Sequence, residues 1–466
     1  MTRGELARLT ATELAHRFAD NAASPEDYLD ELLARIEVIN PRINALVTLN
    51  PQARADARES AARLREGRAR GPLEGIPVAV KDSILVKGLP TTWGSRAFRD
   101  RISAEDELPV RRLREGGAVI LGKTNVPEFT LEGYTGNLLF GTTRNPWNTQ
   151  RSPAGSSGGS AAALIAALSP LATTSDGGGS TRGPASACGL VGYKPTNGAF
   201  GRNFTPRWMA FSTMGCAGRT VADVAYEAGV VAGPVPGDVL TFPRSAVDAA
   251  FARPPRIVAV RSFRDGCDDV IAAAFEAAVD ALHNEAGFAV EWVDKVFTGD
   301  TMTQWFTISS CELAQSLADY RDRWEELDPS LLFNCEFGAS VSAFDYVAAQ
   351  RARFTACAEL DAIIGDDAVL VVPTFNAESW PAEGPLPSEA GGVQGIGIGF
   401  NTVEGNFTGH PGISVPIGHD RAGVPFGLQV VAPRFRDGFA FGVAAELERI
   451  APWAQVAPGF EPWPTW

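Results

Sequence analysis

The sequence predicts an α/β fold: a large, twisted, mixed and mostly parallel sheet covered by helices on both faces. Three observations predict it. Short apolar runs, "GIPVAVKDSI", "AVILGK", "LATTSD" and "GLVGYKP", read as buried strands separated by helical stretches, the order that builds parallel sheets with crossover helices. The composition, 45% hydrophobic and 21% charged, is that of an ordinary globular protein. At 466 residues the chain is long enough for one large layered core.

Taken in order, "SPEDYLDELLARIEVIN" opens on Ser24 with Pro25 at the first helical position and carries Leu29, Leu32, Leu33 and Ile36 at helical spacing. Residues 51–70, rich in Ala, Arg and Glu, give a more solvated helix. A strand ending at Lys81 follows, then a helix over 106–115, the strand "AVILGK", a glycine-rich loop, a helix over 160–168 and the strand "LATTSD". After Pro236 the pattern loosens into "RIVAV", a helix over 268–285, "AVEWVD", an aromatic-bearing helical region over 303–326 and a helix over 340–364. These are expected to form an insertion or subdomain on one side of the sheet. "AVLVVP", "GISVPIG" and "FGLQVVA" return the chain to the sheet, and a helix over 437–449 follows. The expectation is one domain over 1–466: a helical segment 1–70, a core 71–232, a divergent helix-rich part 233–366 and closing core elements 367–466. "PAEGPLPSEAGGVQGIGIGF" has the glycine and proline content of a loop and is expected at a pocket rim.

Charge and cysteine usage narrow the function. With 55 acidic against 41 basic residues the formal charge is −14, a field that repels nucleic acid and anionic lipid. The strongly apolar run 161–168 falls well short of the roughly 20 residues that span a bilayer, and "MTRGELARLTATELAHRFAD" lacks a signal-peptide core. A cytoplasmic location is expected. Six cysteines without a C-x-x-C pair or a histidine nearby in sequence suggest neither a zinc site nor a disulfide framework, but reduced, mostly buried thiols.

The stretch from Ser152 to Ser186, "SPAGSSGGSAAALIAALSPLATTSDGGGSTRGPAS", invites three readings. A linker is disfavoured because core elements follow directly. A phosphate cradle is disfavoured because neither G-x-x-x-x-G-K-[ST] nor a strand-borne G-x-G-x-x-G is present. In the third reading, "DGGGS" sets Ser180 behind Gly177, Gly178 and Gly179, where successive N–H groups converge beside a nucleophile. "GSSGG" around Ser157 fits G-x-S-x-G only formally, because no strand precedes it. A histidine base through His410 or His419 stays open as an alternative. Lys81, poorly hydrated at a strand end, is the better candidate base, with Ser156 as a hydroxyl relay between it and Ser180.

"PAGSSGGS…SDGGGSTRGPASACGLVGYKP" resembles the defining stretch of the amidase signature family, hydrolases of carbon–nitrogen bonds. "LEGIPVAVKDSI", "GAVILGKTNVPEF", "FGTTRNPWN", "MGCAGRTVADVA" and "TGHPGISVPIG…PFGLQVVAP" extend the likeness over most of the chain outside 233–366. The resemblance implies the family's fold, Ser180 as nucleophile, Ser156 as bridging serine behind a cis Gly155–Ser156 bond, and Lys81 as base. It also implies an oxyanion hole from the N–H groups of Gly177, Gly178, Gly179 and Ser180. No metal or organic cofactor is implied.

Two residues depart from the family pattern: Ala154 stands where glycine is more usual, and Gly177 where threonine or a larger residue is. Asp176, Arg182 and Ser157 match supporting positions. Tyr134, Trp208, Met209, Phe211, Phe375 and the loop 391–400 are the expected substrate pocket. Their apolar character favours a small neutral amide carrying an aryl or aliphatic group, with carbamates and esters as further substrates of the same chemistry. A monomer or homodimer without nucleic-acid partners is expected. Two alternatives stand beside this reading: a glutamine-hydrolysing A-type chain of an amidotransferase, and a non-catalytic binding or scaffold protein on the same fold. Cys311 is expected to be a buried thiol outside the chemistry.

Overall fold

Eleven strands form the main sheet in the computed structural model, which describes residues 6–460 apart from 210, 265, 385 and 387–399. In chain order they are β1 (Leu46–Leu49), β2 (Pro77–Lys81), β3 (Val119–Thr124), β4 (Leu171–Asp176), β5 (Val191–Lys194) and β6 (Thr213–Gly218). β7 (Arg256–Ala259), β8 (Ala289–Trp292), β9 (Ala368–Pro373), β10 (Gly412–His419) and β11 (Pro425–Val431) complete the set. Across the sheet their order is β1-β3-β2-β4-β6-β5-β10-β11-β9-β7-β8.

The sheet is large, mixed and covered by helices, as expected. Parallel pairs sit in two blocks, β3-β2-β4 and β9-β7-β8, joined through antiparallel neighbours. Antiparallel pairing takes a larger share than strand–helix alternation suggests. β10 and β11 form a hairpin across the turn at Asp420 to Val424, and β6, which the sequence reading took for a helix entry, is inserted antiparallel between β4 and β5.

The apolar runs are explained by burial on both faces. Along β9, Val369 and Val371 belong to one hydrophobic cluster while Ala368, Leu370 and Val372 belong to another, the two-residue period of a strand. Helices Pro25–Ile43, Gly158–Ile165, Val221–Val231 and Asp437–Ile450 contribute to the first cluster. Helices Thr301–Ser316, Pro329–Ser340 and Ala343–Ile364 contribute to the second. Ser24 caps the helix Pro25–Ile43 through Glu26 N, and Asn44 in the left-handed conformation ends it.

Residues 233–366 do more than sit on one side. β7 and β8 extend the sheet itself, with Arg256 in register with Ala368 and Ala289 in register with Arg256. The helical stretch expected over 303–326 ends earlier, at Ser316, and gives way to 3-10 turns over Ala318–Glu326. All six cysteines are free; Cys188, Cys216 and Cys335 are buried, whereas Cys267, Cys311 and Cys357 are half-buried, contrary to the expectation for Cys311.

Candidate active site

β2 and β4 run parallel, Ala79 in register with Ala172, so both end at the same edge of the sheet, where α/β proteins build their sites. Lys81, the last residue of β2, is fully buried there. Its Nζ lies 2.8 Å from Ser156 Oγ and 2.9 Å from Ser175 Oγ. Burial pushes the ammonium down to about 7, with the Asp176 carboxylate pulling the other way. Ser156 reaches the amine from a loop whose Gly155–Ser156 peptide is cis.

The chain leaves β4 through Asp176 and the glycine run. Burial would raise the Asp176 carboxyl, but the Arg182 guanidinium outweighs it and brings the group to about 2. The pair is fully buried and bidentate, at 2.8 and 3.0 Å. Gln429 and Asn406 hold the guanidinium from the other side, each at 2.5 Å. Asp176 also accepts from the backbone N–H of Gly179 at 2.7 Å and of Thr181 at 3.2 Å, curling the loop. Ser157 N in turn donates to the Ser180 carbonyl at 3.2 Å, tying the two serine-bearing loops together.

Two side chains outside the signature stretch orient the glycine peptides. Trp305 Nε1 donates to the Gly177 carbonyl at 2.9 Å, and Thr402 Oγ1 donates to the Gly178 carbonyl at 2.7 Å. In a trans peptide the carbonyl and the next N–H point in opposite directions, so these bonds aim the N–H groups of Gly178 and Gly179. The Gly179 N–H meets Asp176 and is thereby committed. Of the four N–H groups expected to form an oxyanion hole, that of Gly179 is therefore already engaged. Gly179 has φ +123, and a Cβ there would stand 2.0 Å from Thr402 Oγ1, so only glycine fits.

A pocket opens over Ser180, floored by Gly178, Gly179 and Gly155 and walled by Leu131, Trp208, Met302, Trp305, Phe400 and Val403, with Glu132 also on its lining. Burial pushes the Glu132 carboxyl up. Trp208 is thus at the pocket as expected. It also fills the room beside Gly177, where a Cβ would meet its ring at 2.4 Å.

Of the other residues expected at the pocket, Phe400 of the loop 391–400 also lines it, whereas Phe211, Phe375, Tyr134 and Met209 lie elsewhere. Phe211 is core, packed against Trp305 and Phe407, and Phe375 is core against Trp380 and Phe400. Tyr134 packs half-buried beside that same small cluster, and Met209 is exposed on a separate groove. Apolar type alone marked these residues, and apolar type serves core and pocket equally. Of the loop 391–400 only Phe400 is among the described residues. Neither histidine alternative holds: His410 pairs with Asp361 at 2.9 Å, and His419 packs on Trp147. The sequence reading missed Met302 and Trp305, whose signal was their i, i+3 spacing on one face of a helix in the divergent part.

The comparisons agree with this architecture. The chain belongs to the amidase family, whose model "Amidase" matches residues 27–439, and it is an amide-hydrolysing enzyme of the amidase signature type. It is 33% identical to the "Acylamidase" of Rhodococcus erythropolis over 98% of both chains. It is 34% identical to the A-type chain of the glutamyl-tRNA(Gln) amidotransferase of Acidothermus cellulolyticus, covering 95% of this chain and 94% of that one. Among solved structures, a bacterial aryl acylamidase of the amidase signature family superposes with TM-score 0.89 at 26% identity, covering 96% of this chain and 97% of that one. The 6-aminohexanoate cyclic dimer hydrolase superposes with TM-score 0.87 at 28% identity, over 97% and 99% of the two chains. Among the described residues, no helix is long and apolar enough to cross a membrane.

Proposed function

We propose that the protein hydrolyses small neutral acyl amides, aryl amides foremost, through an acyl-enzyme on Ser180. Neutral Lys81 takes the proton of Ser156, which takes that of Ser180 as Ser180 Oγ attacks the carbonyl carbon. The oxyanion is met by backbone N–H groups of the glycine run. The C–N bond then breaks, and the leaving amine receives the proton back through Ser156. Water hydrolyses the ester by the same relay, returning Ser180. The observation that carries this reading is the buried Lys81 Nζ held 2.8 Å from Ser156 Oγ. A lysine in that place is a base only when neutral, and burial favours the neutral form.

The substrate class rests on the pocket walls, where two indoles, a phenyl ring, Met302, Leu131 and Val403 offer apolar contact, and on the relatives named for acyl and aryl amides. Carbamates and esters present the same carbonyl and are further substrates of the proposed site. Six free cysteines fit a reducing compartment, and we place the enzyme in the cytoplasm on that ground.

The test is a panel of aryl anilides, aliphatic primary amides, glutamine, aryl carbamates and matched esters, with wild type and Ser180→Ala. Release from anilides that is lost in Ser180→Ala supports the reading, as does labelling of Ser180 by a fluorophosphonate. Lys81→Ala is expected to abolish turnover as fully as Ser180→Ala, with Ser156→Ala leaving slightly more. The relatives named for the glutamyl-tRNA(Gln) amidotransferase make glutamine the competing substrate, so release from glutamine alone would replace this reading with that one. Undiminished activity in Ser180→Ala would end the mechanism.

A further inference from the structure

Among the described residues, one cluster of metal-ligating side chains is unused by the proposed hydrolysis. Cys357 and Asp361 stand four residues apart on the helix Ala343–Ile364 and so share a face. His410, fully buried in the turn before β10, comes down on them. His410 Nε2 is 2.9 Å from Asp361 Oδ1, and Cys357 Sγ is 3.4 Å from Asp361 Oδ2. The three ligand atoms all lie within 4.8 Å of one another. The sequence showed no such group, because the histidine is more than fifty residues from the cysteine.

The surrounding hydrogen bonds fix the imidazole. Thr408 Oγ1 donates to the Glu404 carbonyl at 2.8 Å, which leaves it an acceptor toward His410 Nδ1 at 2.9 Å. The ring hydrogen therefore sits on Nδ1, and Nε2 turns toward a carboxylate oxygen. An imidazole lone pair and a carboxylate oxygen at that separation require a cation on or between them, either a proton or a metal ion. Metal-binding histidines likewise donate their far ring N–H to an acceptor that fixes the ring. The adjacent sulfur makes the donor set N, O and S, which suits a borderline-soft divalent ion.

We propose that Cys357, Asp361 and His410 form a binding site for a divalent transition metal of the zinc type. A thiolate and a carboxylate balance the ion's charge, and coordination releases the thiol proton to solvent. The Thr408 carbonyl oxygen, 3.7 Å from Cys357 Sγ, is a further donor beside the site. Asp361, with its side chain 43% exposed, opens the entry route, and Arg434, which approaches it to 3.5 Å, is equally exposed and swings to solvent as the ion takes its place. The ion ties the helix Ala343–Ile364 to the segment carrying Thr402, Val403 and Asn406, which reach the glycine loop and the pocket. Its role is structural, apart from the serines.

Cobalt(II) titration of the full-length, metal-free protein tests the site. The expected result is one equivalent bound, with a near-ultraviolet sulfur-to-cobalt charge-transfer band that zinc(II) displaces, and a rise in thermal midpoint with zinc(II). Cys357→Ser should abolish the band, and Asp361→Asn, at a half-exposed position, should weaken binding about 100-fold. The absence of a charge-transfer band at saturating cobalt, or its persistence in Cys357→Ser, would overturn the proposal. Should Cys357→Ser fail to fold, unchanged affinity in Asp361→Asn overturns it equally.

Discussion

At the residue scale the protonation state of Lys81 governs the proposed chemistry. Its amine is pushed down to about 7 by burial, so the neutral base is depleted below that pH and dominant above it. The logarithm of kcat/KM is expected to rise by about one per pH unit on the acid side and level off above about 7. A flat pH profile from 5 to 8 for a substrate with no ionisable group would refute lysine as the base. Ser175 accepts from the same nitrogen at 2.9 Å, which supports the charged form. Ser175→Ala is expected to move the acid limb to lower pH with little change in KM, whereas a purely structural role would leave the limb in place. Ser156 and Ser180 were legible in the sequence because both stand in a glycine- and serine-rich stretch unusual for ordinary secondary structure, whereas Lys81, at the end of an ordinary apolar strand, was singled out by the family resemblance. Ser175 carried no such mark.

Loops and helices divide the work differently from the motif. The signature stretch brings the proposed nucleophile, but the carbonyls of Gly177 and Gly178 are held from outside it, by Trp305 and Thr402. Trp305→Phe keeps an aromatic, though smaller, side chain and removes the donor. It is expected to lower kcat about 10-fold with a smaller change in KM, since a hole donor is worth about 10²–10³ and this residue acts one peptide away. An unchanged kcat would show that the loop holds itself. Gly177→Ala sets a methyl 2.4 Å from the Trp208 ring and is expected to cost about 1–3 kcal/mol in overpacking. Adding Trp208→Ala should recover much of the clash in a denaturation-based double-mutant cycle; additivity of the two costs would disprove the coupling. These pairs were illegible beforehand because each joins residues far apart in the chain, and helical spacing alone does not tell a pocket wall from a core face. Phe211 and Phe375, expected at the pocket and found in the core, show the same ambiguity from the other side.

For the whole molecule the question is whether residues 233–366 behave as an attachment or as part of the core. The strand-and-helix order foretold one sheet entered twice, yet it did not foretell that the divergent part supplies strands, because strand pairing is set by contacts remote in sequence. With β7 inside the parallel block and Ile257 and Val258 fully buried, its amides are expected to exchange with solvent only at the free energy of global unfolding, alongside those of β9. Hydrogen exchange read by mass spectrometry at rising denaturant checks this; release of β7 in an earlier step would mark an independent subdomain.

The indole of Trp305 gives the same continuity an evolutionary edge. That ring borders the pocket over Ser180, while its nitrogen steadies the Gly177–Gly178 peptide of the loop that leads to Ser180. A lineage acquiring a new substrate by altering the helix Thr301–Ser316 would detune its own rate unless another donor took up the Gly177 carbonyl. Grafting that helix between relatives should therefore succeed only when the donor helix carries a side chain able to reach that oxygen, so the reach of one N–H limits which specificities lie a single step away.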